Sequence, residues 1–437
     1  MKKNKLWLVV VGGALCLSAA RAGAEEAQFD VVIDKGVEKP LPIAVVPFRS
    51  NDPGVPVDVA AVIAGDLERS GRFAPMPPQD MISKPADLAE IHFDDWRRFS
   101  MPHIVVGKVT GAGGSDDVEF RLVDVYTARQ LTGFQLNSSP ARLRFTAHQI
   151  ADIVYEQLLG QKGAFATRIA YVTVQKLAAD KKQYKLEIAD ADGYNPQVLL
   201  ESPQPILSPA WSPDGSRIAY VSFEGHNSAI YVQDISTGRR EAVAAGEGIN
   251  SAPAWSPDGN RLAMTRSAEG NPDIYVLSLA DRRFQRVTND PAIDTEPVWS
   301  PDGGRLAFSS DRGGQPQIYE TDLANLQVKR MTFNAGGYNV RPRYSPDGNM
   351  MAMVHRDDNG DHIAVLNLKT GQYNVVTDTR FDESPSFAPN GSMIIYSTTG
   401  AGGTELAAVS ADGRVRQRLA SPAGAEVREP AWGPFRK

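Results

Sequence analysis

Cysteine is nearly missing from this chain: Cys16 is the sole one in 437 residues. No intramolecular disulfide and no cysteine-built zinc site can therefore form. Histidine is scarce as well, at positions 92, 103, 148, 226, 355 and 362, with no His-Glu-x-x-His pair. His355 and His362 flank a short polar loop, where solvated side chains are expected. No Gly-x-Ser-x-Gly elbow occurs, so a serine-hydrolase nucleophile has no candidate. Positive charge is not in excess either: 46 basic against 52 acidic residues give a formal charge of −6, which speaks against nucleic acid or anionic lipid as the main partner.

Long apolar runs are absent apart from Leu6 to Ala20, which follows Lys2, Lys3 and Lys5 and precedes Ala22-Gly23-Ala24. Basic start, short apolar stretch and small residues make residues 1–24 a secretory signal peptide, with cleavage expected between Ala24 and Glu25. The run is too short for a comfortable membrane span. Leu15 before Cys16 is not small, which argues against a lipoprotein site. Cleavage removes four basic residues and no acid, leaving a cysteine-free chain of formal charge −10.

What is plentiful is repetition. Trp211-Ser212-Pro213-Asp214-Gly215 returns at Trp255, Trp299, Tyr344 and Phe387, and in part at Trp432, with spacings of 44, 44, 45, 43 and 45 residues. A period in the forties with strand and turn signals inside each unit predicts β-propeller blades. Pro presets one turn position, Asp bonds nearby backbone, and Gly accepts the closing geometry. Arg168–Val172 resembles a second strand without an anchor before it, and Trp432 is an anchor with no strands after it. Joined, they make one shared blade, and with five intact units the propeller has six.

Ahead of the repeats, 25–39 is a polar arm in which Phe29, Val31 and Ile33 alternate, compatible with a frayed edge strand or with a peptide that docks on its own protein or a partner. Residues 40–160 read as strand, helix, strand, strand, strand, helix: Pro42–Phe48, Asp58–Arg69, His103–Val109, Glu119–Val125, Gln130–Leu136, and a helix from Pro140 ended by Gly160, with a short helix within Leu88–Phe99 and a loop at Pro75–Pro78. The fold class is thus a small α/β domain, a linker at 161–166, and a six-bladed β-propeller over 167–437 closed by its C-terminal strand.

Catalytic, cofactor and metal residues have no candidates. The repeated Asp214, Asp258, Asp302 and Asp347 read as turn-formers, and Asp357–Asp361 lacks the distal Glu of a helical calcium loop, leaving an exposed hairpin turn. The residues just before each repeated Pro should ring one mouth of the channel, and they vary between blades: Asn250-Ser251-Ala252, Asp294-Thr295-Glu296, Asn339-Val340-Arg341, Asp382-Glu383-Ser384 and Val427-Arg428-Glu429. Varying polar groups at a funnel suit recognition of one partner as well as ordinary loop variation.

The leader, Val32–Val37, Pro42–Phe48, the Ser-Pro-Asp-Gly repeats, Thr295-Glu296-Pro297, Asp382–Gly391 and the Pro-Ala-Trp-x-Pro ending, in this order, resemble the TolB family, periplasmic components of the Tol–Pal system. The resemblance implies a non-enzymatic periplasmic adaptor without cofactor. Its propeller mouth would bind the lipoprotein Pal and its N-terminal segment TolA, supporting outer-membrane integrity and invagination at division. Bacteriocin segments exploit the same surface. Ala252 and Thr295 fall on family positions at the Pal interface, with Asn250 and Glu296 beside them and Asn339, Arg341, Glu383 and Arg428 on the same mouth. Phe29, Val31, Val32, Ile33 and Asp34 fall in the TolA-binding segment. Ile249 departs from the family pattern, where a histidine can stand, and the arm begins differently at Gln28-Phe29. The rival readings are a propeller scaffold for another envelope complex and a propeller hydrolase.

Overall fold

The computed structural model describes residues 31–33, 39–52, 54, 56–112, 115–178, 181–333, 337–400, 403–419 and 424–436. Residues 1–24, Glu25, Phe29 and Asp34 lie outside these. Strands β1 (Val31–Ile33), β2 (Leu41–Val45), β3 (Arg49–Ser50), β4 (Phe73–Pro75), β5 (His103–Ala112), β6 (Ser115–Asp124) and β7 (Arg129–Ser138) come first, with helices α1 (Val59–Arg69), α2 (Phe93–Arg98) and α3 (Leu143–Leu159) between and after them.

The N-terminal sheet runs β4-β2-β5-β6-β7, with β3 alongside β5; β4 and β5 are parallel to β2, while β6 and β7 are antiparallel. Apolar residues on one helical face drive α1 and α3 onto the sheet, burying Ile63, Leu67, Ile150 and Val154 against Ile43, Val105 and Phe120. Each such side chain contributes about 1.5–3 kcal/mol. Asp58 caps α1 by accepting from the Ala61 N–H at 3.1 Å, and Gly160 ends α3 at φ +68°, where a Cβ would be strained. The opposite face is closed by Trp96 of α2 over Ala44, Ile104 and Val106. Two short strands, β3 and β4, go beyond the sequence pattern: two or three residues are too few for alternation to register, and pairing with β5 and β2 defines them.

Six four-stranded blades follow. Blade 1 joins Arg168–Ala178, Lys181–Asp190 and Gln197–Ser202 to the C-terminal strand Glu426–Trp432, which pairs antiparallel with Arg168–Ala178. Blades 2 to 6 begin with inner strands Ile206–Trp211, Asn250–Trp255, Asp294–Trp299, Tyr338–Tyr344 and Glu383–Phe387. Strand β1 adds to the outer edge of blade 6, antiparallel to Val415–Arg418.

The repeat residues tie blades together. The indole N–H of Trp255 donates to the Ala210 carbonyl of the preceding blade at 3.0 Å, Trp299 does so to Ala254, and Trp211 to Ala431 across the closure. The Arg217 and Arg261 guanidinium groups lie 4.6 Å over the Trp255 and Trp299 rings of the following blade. In the turn, the Ser212 hydroxyl donates to Asp214 at 2.6 Å and accepts the Arg217 N–H at 2.9 Å. Blade 6 replaces Ser-Pro-Asp-Gly by Ala388-Pro389-Asn390-Gly391 because this turn has another task. Asn390 donates to the Lys162 carbonyl and accepts from Gln161 through its own carbonyl, both at 2.9 Å, holding the linker.

The two domains meet on the rim of these turns. Gly71 at the end of α1 lies so close to Val415 that a Cβ would come within 2.2 Å of it. Beside it, His148 of α3 contacts Asp66 of α1 at 2.6 Å, and Arg69 and Arg144 both bond Asp192 of the propeller. Asp66, His148 and Asp192 bring ligand-type atoms within 4.8 Å of one another. Arg69 pairs with both carboxylates and Arg144 with Asp192, which makes this an ion-pair network across the interface. Burial alone would lower the His148 pKa, but Asp66 and then Asp192 outweigh it and, against Arg144, raise it above the usual histidine value. The stabilisation is therefore complete below the unfolded histidine pKa and lost as pH rises through the higher folded one. Urea midpoints measured from pH 6 to pH 9 should fall for the unmodified chain, and the His148→Gln variant should show a flatter profile.

Candidate functional site

Each inner strand carries the same irregularity. The residue before the repeated proline takes a left-handed conformation although it is not glycine: Ser208, Ala252, Glu296, Arg341, Ser384 and Glu429 have φ between 49° and 57°. Pairing with the next strand slips at each of these points. Left-handed backbone costs an L-residue roughly 1–2 kcal/mol, and a ring that repeats it six times must hold it by packing and closure. The result is that these six positions all line the central channel, a cavity of 240 Å³.

Four of the positions are polar or charged in ways that match one another. Arg341 donates to Glu296 at 2.8 Å through Nε and to the Ser384 hydroxyl through its guanidinium. Glu296 also accepts the Arg341 backbone N–H and the Ser309 hydroxyl, both at 3.1 Å. Glu429 accepts the Ser208 backbone N–H. Burial alone would lower the Arg341 pKa, but Glu296, Glu429 and Glu383 carry it above the ordinary arginine value. The ring is thus a preorganised array of paired charges spanning blades 4, 5 and 6.

The same residues open onto a second cavity, of 320 Å³, on the rim opposite the Ser-Pro-Asp-Gly turns; Thr295, Glu296, Arg341 and Glu383 line it together with Tyr338 and Arg356. The Arg356 guanidinium lies 4.4 Å over the Tyr338 ring and bonds Asp361 at 2.6 Å. Ala252 faces the channel, and Arg428 is exposed near the shared blade, bonded to Glu426 at 2.6 Å.

Two of the expected mouth residues are placed differently. Asn250 and Asn339 are fully buried. Asn250 donates to the Ser228 carbonyl at 3.2 Å, while Asn339 donates to Gln317 at 3.0 Å and accepts from the Tyr373 hydroxyl at 3.1 Å. They tie the starts of inner strands to neighbouring strands, and their side chains do not reach a partner. His355 and His362 are likewise buried, directly opposite each other on paired strands. His355 packs edge-on against Tyr373, and His362 contacts Asp357 at 3.1 Å. The loop between them is only Asp358-Asn359, too short to carry either ring into solvent.

Polarity in the sequence does not mark the apolar part of this rim. Ile249, Ile293 and Phe381 each stand immediately before a buried polar residue at or next to the start of an inner strand, and all are about half exposed; Phe333 on the loop into blade 5 is 70% exposed. Exposed apolar residues around a polar funnel have the composition of a protein-docking rim. The recurring apolar–Asx pair in Ile249-Asn250, Ile293-Asp294 and Phe381-Asp382 was the available signal.

Fold and funnel together define a two-domain β-propeller protein, its α/β domain docked on one rim and its open funnel on the other. The model of the TolB amino-terminal domain matches residues 29–131, and that of the TolB beta propeller domain residues 155–436. The chain belongs to the TolB family and is a component of the Tol–Pal system. It is 58% identical to the Tol-Pal system protein TolB of Nitrosococcus oceani over 99% of this chain and 100% of that one. The relative of the same name from Thioalkalivibrio sulfidiphilus is 57% identical over 94% of both. The crystal structure of TolB from Acinetobacter baumannii superposes with a TM-score of 0.85 at 42% identity, covering 93% of this chain and all of that one.

Arg341→Ala would leave Glu296 partly buried without its cation and free the Ser384 hydroxyl. Loss of charge-assisted hydrogen bonds of this kind costs about 1.5–3 kcal/mol each. Urea unfolding should show Arg341→Ala destabilised in that range. The double variant Glu296→Gln/Arg341→Gln should be less affected than the sum of the single changes.

Proposed function

We propose that this chain is a non-enzymatic periplasmic adaptor that binds the Pal lipoprotein at the propeller mouth and TolA through its N-terminal arm, and thereby supports outer-membrane integrity and invagination at division. Residues 1–24 direct its export and are removed between Ala24 and Glu25. The observation that carries the reading is the mouth itself: a preorganised ring of Glu296, Arg341 and Ser384, rimmed by exposed Ile249, Ile293, Phe333 and Phe381. These polar groups are satisfied by one another, which suits shape and charge recognition of a protein surface. Bacteriocin segments would compete for the same rim.

The arm supports a switch. Strand β1 pairs Val31 with Gln417, Val32 with Arg416 and Ile33 with Val415. Three residues on a sheet edge make a contact that another protein can replace by strand addition. Pal at the mouth would bias docked against free arm only through a difference in its affinity for the two states. No helix among the described residues is long and apolar enough to cross a membrane.

Calorimetric titration of the Pal periplasmic domain into the mature chain and into a version starting at Lys39 tests both parts. Saturable one-to-one binding whose affinity changes when the arm is removed is expected. Equal affinities would discard the switch, and no binding by folded protein would discard Pal as the partner.

A further inference from the structure

A third cavity, a cleft of 340 Å³, lies between the two domains on the side of blade 1, away from both the mouth and the docked arm. Its walls are the start of α3, the edge of blade 1 and the C-terminal segment, and they present Arg142, Arg144, Arg168 and Arg436 against one carboxylate, Asp190. Two of these charges are accounted for: Arg144 pairs with Asp192 and sits 3.8 Å from Asp190, which also accepts from Asn195 at 2.9 Å. Among the described residues Arg142, Arg168 and Arg436 make no ion pair. Arg142 and Arg436 instead flank the Phe145 ring, at 5.3 and 4.0 Å, which fixes where their guanidinium groups stand.

In a chain whose formal charge is −6, three unneutralised arginines converging on one cleft call for a counter-charge. Burial, and then Arg168, lower the Arg436 pKa to about 10, with Asp190 opposing and Arg142 adding to the effect. The crowding around Arg436 is therefore electrostatically costly. A second feature points the same way. The tight turn Pro140–Arg142 that runs directly into helix α3 borders the cleft, and neither it nor the first turn of α3 carries an acidic residue to offset the arginines.

We propose that this cleft binds a phosphate-class group, a phosphomonoester or diphosphate, held by Arg142, Arg168 and Arg436. A carboxylate brings one charge and two oxygens. A phosphoryl group brings close to two charges and three strong acceptors, which matches three guanidinium forks. The group can belong to a soluble phosphorylated molecule or to a lipid headgroup, and the cleft opens to the surface through exposed Arg142 and Arg436. The site is independent of the mouth and its partner.

The test is calorimetric titration of the mature chain with pyrophosphate at low ionic strength, with citrate as a carboxylate control. Co-sedimentation with phosphatidylcholine vesicles, with and without phosphatidic acid, runs alongside. Saturable pyrophosphate binding is expected, weakened about tenfold or more in Arg142→Gln/Arg436→Gln, two surface changes whose folding is checked by melting temperature. Arg168→Gln should weaken it separately, and Arg239→Gln, on a distant exposed turn, should not. Binding to phosphatidic acid vesicles that the same variants lose would assign the group to a lipid headgroup, and pyrophosphate binding without vesicle binding to a soluble ligand. Binding of neither probe, equal binding by the variants, or citrate binding as tight as pyrophosphate would overturn the proposal.

Discussion

Everything in the propeller depends on one antiparallel pairing, that of Glu426–Trp432 with Arg168–Ala178. A ring of blades in which each leans on the next has no stable open form, because an open ring exposes two sheet faces and two edges. Closure is secured on both sides of the strand: Trp432 donates to the Thr167 hydroxyl at 2.9 Å, the Gly433 N–H to the Arg168 carbonyl at 2.7 Å, and Trp211 reaches back to Ala431. The same pairing carries the C-terminus to the linker and to α3, so the α/β domain is seated where the ring is sewn shut. The interface network of Asp66, His148 and Asp192 and the arginine-lined cleft both follow from that placement.

A closed ring separates architecture from surface chemistry. The Ser-Pro-Asp-Gly turns and anchor aromatics repeat because they build the ring. The left-handed position before each proline also repeats in backbone, yet its side chain changes from Ser208 to Ala252, Glu296, Arg341, Ser384 and Glu429. Rigid geometry with variable chemistry at six points is what lets a symmetric scaffold present an asymmetric surface. Because Glu296, Arg341 and Ser384 belong to three successive blades, any loosening of the ring would be felt at the mouth.

How far the sequence reveals this differs from part to part. Blade number was legible, since aromatic spacing and the mismatched ends count blades without any knowledge of packing. Helices α1 and α3 were legible from periodicity and their end signals. Strands β3 and β4 were not, being too short to show a period. At the mouth, polarity marked the stretches that line the funnel but could not tell facing from buried: Asn250 and Asn339 look exposed in sequence and turn inward to bond neighbouring strands. His355 and His362 show the same, a polar setting in sequence and an enclosed one in the fold. The Asp66–His148 contact spans 82 residues, and nothing local announces it. The departure at Ala388–Gly391 was visible as a broken repeat, but its reason, the linker contact through Asn390, needed the assembled domains.

The central claim is that recognition takes place at the mouth ringed by Glu296, Arg341 and Ser384, on the rim opposite the docked domain. Amide hydrogen exchange of the mature chain, alone and with the Pal periplasmic domain, tests it most directly. The account predicts slowed exchange confined to the loops leading into the inner strands, around Ile249, Ile293 and Phe381. Protection on the Ser-Pro-Asp-Gly rim, with those loops unchanged, would contradict it.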